Sequence, residues 1–176
     1  MAWSTPTSLT ALGGRVTKAF AATSDGRLWI GTDGAGLAAV DLAATPYQVA
    51  AQLDQARGVP SAWVHTLCGA GDVGDEGTRV WAAPHEGLAL VRGDRGERVL
   101  TTEDGLPSAT VWNLCRDPRG RLWVGTKGSL AVLDRTGRVL RTALRGAGGH
   151  DGGPCRLLRR AGAGLGRAGQ RGHPAR

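Results

Sequence analysis

The side chains that could do chemistry are few and scattered. Four histidines (His65, His85, His150, His173) and three cysteines (Cys68, Cys115, Cys155) are the neutral-pH bases and soft ligands in 176 residues. No Cys-x-x-Cys pair or His/Cys group has the spacing of a zinc site, and an odd, widely spaced set of cysteines is not a disulfide framework. No serine sits in a nucleophile elbow. Asp25-Gly26 and Asp104-Gly105 read as turn residues and not as paired catalytic carboxylates. Gly34-Ala35-Gly36 is too short to cradle a phosphate. What remains is a polar and aromatic set, His65, Trp112, His85, Glu86 and Lys127. Its chemistry is hydrogen bonding, charge and stacking toward a ligand, which implies neither catalysis nor a cofactor or metal.

The rest of the composition shows what must position such a set. The chain has 29 Gly and six Trp but one Phe and one Tyr. Such a bias toward Trp indicates a motif repeated around it. The net charge of +7 lies almost entirely at the C-terminal end. Residues 1–142 hold 15 Lys and Arg against 14 Asp and Glu, whereas residues 143–176 hold seven Arg against one Asp. A balanced body gives no electrostatic footprint for a nucleic-acid backbone. No apolar run approaches the ~20 residues that span a bilayer. No basic segment followed by an apolar run marks the start as a secretory signal, so the residues themselves carry no export address.

Three segments align on a Trp: Gly26-Arg27-Leu28-Trp29-Ile30-Gly31-Thr32, Thr78-Arg79-Val80-Trp81-Ala82-Ala83-Pro84 and Gly120-Arg121-Leu122-Trp123-Val124-Gly125-Thr126. Each is followed by a polar turn and an apolar run, Leu37–Val40, Leu88–Val91 and Leu130–Leu133. A second element precedes the last two: Gly58-Val59-Pro60-Ser61 through Cys68 matches Gly105-Leu106-Pro107-Ser108 through Cys115. The longer first interval fits two loop insertions, one near residues 43–55 and one within residues 70–77. A short helical turn is expected only in the Ala-rich stretch 49–56. In the third unit, Val111–Arg116, Arg121–Thr126, Ser129–Asp134 and Arg138–Thr142 read as four strands separated by Gly-containing hairpin turns. A four-stranded antiparallel unit of about 40–50 residues is the signature of a β-propeller blade. The fold class is therefore all-β, about three such blades in an incomplete propeller. Trp29, Trp81 and Trp123 are expected to be buried at equivalent places.

The string Asp104-Gly105-Leu106-Pro107-Ser108, continuing through Val111 and Asp117 to Gly120-Arg121-Leu122-Trp123-Val124-Gly125-Thr126, resembles the two-component regulator propeller repeat. The third unit matches almost throughout and the first in its Ser24–Thr32 half. The second is degenerate, with Ala82-Ala83-Pro84 in place of the usual ending. The resemblance implies the sensor region of a hybrid histidine kinase or related regulator. Such a region faces the periplasm and binds an unidentified ligand, a carbohydrate or another small molecule, or a partner. An enzymatic propeller similar to the streptogramin lyases is the alternative. It would need a His/Glu cluster, often with a metal, for which one blade offers only His65, His85 and Glu86.

The expected organisation is a partial propeller over residues 1–142, with blades at about 15–55, 56–101 and 102–142, and a Gly/Arg-rich tail over 143–176. The tail reads as a disordered basic extension or as the product of a frameshift, because a shifted frame permits a Trp codon at Leu165-Gly166, one blade period after Trp123. Closed propellers have ~4–8 blades, so the chain reads as a fragment whose partners are the remaining blades or a kinase portion. Its outermost apolar strands are expected to lie in solvent. His65 shares its strand position with Trp112 and can line the central channel, or simply be an interior strand residue. His85 and Glu86 occupy the turn equivalent to Lys127-Gly128, on the end where propellers bind ligands, though solvated turn residues are the plainer reading. Cys68 and Cys115 occupy one repeat position, which argues for packing over reactivity.

Overall fold

The computed structural model describes residues 16–71 and 78–144, with the backbone alone at residues 143 and 144. The expected tail lies outside the described residues, apart from that backbone, and so does most of the second expected insertion. Among the described residues, twelve strands form three four-stranded sheets. The first holds β1 (Thr17–Ala22), β2 (Arg27–Thr32), β3 (Leu37–Asp41) and β4 (Gln48–Leu53). The second holds β5 (Val64–Gly69), β6 (Arg79–Pro84), β7 (Leu88–Arg92) and β8 (Arg95–Leu100). The third holds β9 (Val111–Arg116), β10 (Leu122–Thr126), β11 (Ser129–Leu133) and β12 (Val139–Leu144). Every pairing is antiparallel between strands consecutive in sequence. This is the up-and-down meander that hairpin turns produce and that propeller blades share. Contacts between sheets run from β1 and β2 to β5, and from β5 and β6 to β9. Among the described residues no helix is long and apolar enough to cross a membrane.

Two layers of side chains join the sheets. Trp29, Leu37, Ala39, Ala51 and Leu53 of the first sheet pack with Val64, Leu67, Val80, Ala82, Ala89 and Val91 of the second. The opposite face of the second sheet sends Trp81, Ala83, Leu88, Leu90 and Leu100 against Val111, Leu114, Leu122, Val124, Ala131 and Leu133 of the third. The two alternating faces of β6 and β7 thus serve two interfaces, which is why these strands are apolar throughout. The crossover segments add Val59 to the first interface and Leu106 to the second. In both, a serine shapes the turn: Ser61 Oγ accepts from the Trp63 N–H at 3.2 Å and Ser108 Oγ from the Thr110 N–H at 3.1 Å. The small residue after Trp29-Ile30 also has a steric cause. A Cβ on Gly31 would lie 2.9 Å from Val64 Cγ1.

Several sequence expectations change. Residues 48–53 are not part of a loop insertion but the fourth strand of the first sheet, held because Ala51 and Leu53 are buried in the interface. The helical turn falls just beyond them, a 3-10 turn at Gln55–Arg57. Trp29 and Trp81 are buried, at 0% and 2% exposure. Trp123 is only partly buried. Each Trp packs against the sheet that follows in sequence, and no following sheet is described for Trp123. Its ring is instead flanked by Arg121, whose guanidinium carbon lies 5.8 Å from the ring centroid, a cation–π arrangement. The indole N–H donates to Asp117 Oδ2 at 3.2 Å, and Arg121 pairs with the same oxygen at 2.7 Å. Burial would raise the Asp117 pKa, but the Arg121 backbone N–H, the Trp123 indole and the Arg121 guanidinium together hold it below the usual carboxylate value. The outward face of the first sheet is not open either. Ile30, Ala38 and Val40 are buried there in a small cluster with Leu28.

One hydrogen bond of the third unit has no counterpart in the first. Thr23 stands where the third unit has Asp117, six residues before the Trp, and Trp29 Nε1 is buried without a partner. A buried unpaired donor costs about 1–3 kcal/mol. Thr23→Asp should therefore raise stability by about 1 kcal/mol, read as an increased urea midpoint with an unchanged slope. In the same assay, Trp81→Ala should cost about 3–5 kcal/mol, as a fully buried ring does. Trp123→Ala should cost about 1–2 kcal/mol, because less of its ring leaves water on folding. Equal losses at the two positions would show that Trp123 is as enclosed as Trp81.

Candidate functional site

The inner strands β1, β5 and β9 share a defect that aims one side chain of each toward the same end of the array. Opposite the motif Trp stand Ala21, Cys68 and Cys115. Three residues earlier, each strand slips register by one. Thr17 and Ala19 pair around Lys18, Val64 and Thr66 around His65, and Val111 and Asn113 around Trp112. Such bulges re-aim a side chain without ending the strand. The turn after the Trp strand supplies a second equivalent position, filled by Asp33, His85 and Lys127.

The first two turns are pinned to the segment entering the next sheet, and the third to the segment entering its own. Asp33 bridges to Trp63, and the Gly34 and Gly36 N–H groups both donate to the Ala62 carbonyl, at 3.0 and 2.8 Å. The Gly87 N–H donates to the Ala109 carbonyl at 2.8 Å, and the Lys127 N–H to the Thr110 carbonyl at 3.0 Å. The side chains are thus presented from a rigid rim, although the residues themselves lie in turns.

The bulge and turn residues meet within each sheet and, through His65 and Trp112, across two of them. The His65 and His85 rings are 5.0 Å apart between centroids and nearly perpendicular, and the Trp112 ring lies 6.0 Å from His65. Lys18 Nζ is 3.3 Å from Asp33 Oδ2. His65 Nε2 and Asp33 Oδ1 are buried without a hydrogen-bond partner. Burial lowers the His65 pKa below 6.5, and His85 and Lys18 lower it further, with Asp33 opposing. His65 is accordingly a neutral imidazole at pH 7. Beyond Asp33, the exposed indole of Trp63 borders an open cleft of about 570 Å³ lined by Asp54, Gln55, Ala56, Ser61 and Ala62.

Of the residues singled out from sequence, the structure brings His65, His85 and Trp112 together. Glu86 and Lys127 stand exposed in their own turns. Sequence reasoning missed Lys18, Asp33 and Trp63. The signal was present for the first two: Lys18 precedes Ala21 by the interval that separates His65 from Cys68, and Asp33 follows Thr32 as His85 follows Pro84. The first unit's weak upstream match to the other two hid this register. Cys68 and Cys115 do not join the group. Both are partly buried opposite the motif Trp, Cys68 against the second interface.

Stacked antiparallel four-stranded sheets, each with an inner strand toward one rim, define the chain as a propeller-repeat protein. Residues 11–34 and 105–128 match the two component regulator propeller family, so the chain carries two-component regulator propeller repeats. The fold is similar to the extracellular domain of the hybrid two component system BT3049 of B. thetaiotaomicron, at 23% identity and a TM-score of 0.58 over 73% of this chain and 17% of that one. It is also similar to the extracellular domain of the hybrid two component system BT4673 of the same organism, at 18% identity and a TM-score of 0.60 over 74% and 18%. The chain thus spans less than a fifth of the length of these structures. No curated protein matches it.

The site makes stability pH-dependent. Because the folded His65 pKa is below 6.5, the unfolded chain binds the proton more tightly. Stability is full above about pH 6.5 and falls as pH drops below that value. His65→Gln should flatten this part of the profile, measured as the urea midpoint between pH 7.5 and 5.0. An unaltered slope in the variant would exclude His65 as its source.

Proposed function

We propose that this chain is a segment of a sensory propeller in a two-component signal-transduction protein, and that it binds a ligand or partner and catalyses no reaction. The rim formed by Lys18, Asp33, His65, His85, Trp112 and Lys127 is its ligand face, with Glu86 at the edge. The observation that carries this reading is convergence. Equivalent positions of three sheets, occupied by different polar and aromatic side chains, meet at one end, as a site assembled from several repeats requires. The mixture of charged, neutral and aromatic groups suits a small molecule that hydrogen-bonds and stacks, such as a carbohydrate. The kinship of the repeats with extracellular domains of two-component systems supports placement outside the cytoplasm, in the periplasm.

The partly open Trp123 face supports the view that further sheets of a larger protein continue the array. Each of the two enclosed Trp residues is covered by a following sheet, and the same chemistry at Trp123 calls for another.

The ligand reading is tested by intrinsic fluorescence and thermal shift with a panel of mono- and oligosaccharides and amino acids. A responding compound should lose at least tenfold in affinity with Trp112→Ala or His85→Ala while the melting temperature without ligand stays within about 2 °C. Full binding by both variants would move the ligand face elsewhere.

A further inference from the structure

We propose that His65 and His85 form a two-imidazole site for a borderline divalent transition-metal ion, Cu²⁺ or Zn²⁺. The argument begins with distance. Metal–nitrogen bonds of about 2.0–2.1 Å and bond angles of roughly 90–110° put the centroids of two imidazoles on one ion roughly 4.5–5.2 Å apart. The rings of His65 and His85 are 5.0 Å apart. They come from two rigidly related places, the bulge of β5 and the turn after β6, so the pair is assembled before any ion arrives.

The second observation is an unused nitrogen. His65 Nε2 is buried and accepts or donates no hydrogen bond, which is uncommon for a polar atom out of water. No protein group competes for this nitrogen. His85 is exposed and gives an ion a route in from solvent.

The surrounding charges are mixed. Lys18 from β1 disfavours positive charge at His65, and Asp33 from the β2–β3 turn, paired with it at 3.3 Å, partly offsets this. Glu86 shares the His85 turn, and Trp112 from β9 is uncharged. Asp33 keeps one buried oxygen without a hydrogen-bond partner, and its charge acts favourably on a cationic His65. Among the described residues no three His, Cys, Asp or Glu side chains are grouped to hold a metal. The protein therefore supplies two ligands, and the remaining positions are open to water or to a bound molecule. Two imidazoles select for Cu²⁺ over Zn²⁺ by the general order of divalent affinities. They do not suit Ca²⁺ or Mg²⁺, which take oxygen ligands.

The test uses the full chain with His150→Ala and His173→Ala, which removes the two tail imidazoles, and with its cysteines alkylated. Calorimetric titration with Cu²⁺, and separately with Zn²⁺, should show one equivalent bound, with Cu²⁺ tighter. Cu²⁺ should also quench tryptophan emission, and Trp112→Phe should remove much of that quenching, because this ring lies 6.0 Å from His65. His85→Ala, at an exposed position that leaves the fold standing, should weaken binding at least tenfold. His65→Ala should do the same where circular dichroism shows a folded chain. Binding within twofold of the parent in His85→Ala, or no stoichiometric binding in the parent, would overturn the proposal. Its failure is separable from that of the ligand reading. A panel compound that binds equally with and without chelator leaves the ligand face in place, and a metal that binds while no compound responds leaves the metal site in place.

Discussion

The structure depends on one constraint: a sheet that is apolar on both faces must be covered twice. The middle sheet meets it completely. Val80, Ala82, Ala89 and Val91 face the first sheet, and Trp81, Ala83, Leu88 and Leu90 face the third. Neither interface could form with strands of ordinary alternating polarity. The Trp supplies the largest buried side chain in each interface, and the small residue two positions on lets the inner strand of the next sheet approach. Trp81 shows how tight this fit is. Gly137, at φ 84°, carries no Cβ where one would lie 2.7 Å from the Trp81 ring. The turn glycine of the third sheet is therefore a packing residue of the second interface as well as a backbone hinge.

The candidate site follows from this packing. Adjacent sheets are held face to face, with β1, β5 and β9 as the neighbouring inner strands, so any feature at a fixed repeat position recurs at a fixed height. A bulge at that height brings Lys18, His65 and Trp112 to one rim, and the turns anchored to the crossovers bring Asp33 and His85 to meet them. The chemistry differs from blade to blade while the geometry does not. An ion pair fills the first blade's positions, two imidazoles the second's, and an indole and a lysine the third's. A repeat array separates scaffold from site in this way, with shared residues fixing the frame and variable residues fixing the ligand.

The three sheets and the strands of the third unit were legible because turn glycines and the Trp-centred strands recur with little change. His65, Trp112 and His85 were legible as one group only through register, since Trp112 lies in a different blade from the two histidines and these stand on separate elements of their own blade. Lys18 and Asp33 obey the same register and were lost where the first unit's inner strand, Thr17–Ala22, departs from the Val-x-x-Leu-Cys pattern of its equivalents. β4 was read as part of an insertion because Gln48–Leu53 is Ala-rich and lacks β-branched residues apart from Val49. Burial of Ala51 and Leu53 between sheets outweighed that weak propensity. The partial burial of Trp123 could not be read from its motif, which is the best preserved of the three. It depends on what lies against the sheet and not on the strand itself.

The most degenerate unit deserves a physical reading of its own. In the first and third units the Trp strand ends in a fully buried Thr whose hydroxyl is satisfied by its own turn. Thr32 Oγ1 donates to the Gly36 carbonyl at 2.8 Å and Thr126 Oγ1 to the Ser129 carbonyl at 3.1 Å. The second unit has Pro84 there, without hydroxyl or N–H, and gives up that local bond. It also has Ala83 where the others have Gly, and the turn that follows carries His85 and Glu86. The unit that departs furthest from the repeat is thus the one that places two imidazoles against each other with a buried nitrogen unpaired. Local departures from an otherwise consistent pattern concentrate where a protein trades regularity for function. The middle blade, best covered on both faces, is also the one best able to bear that cost.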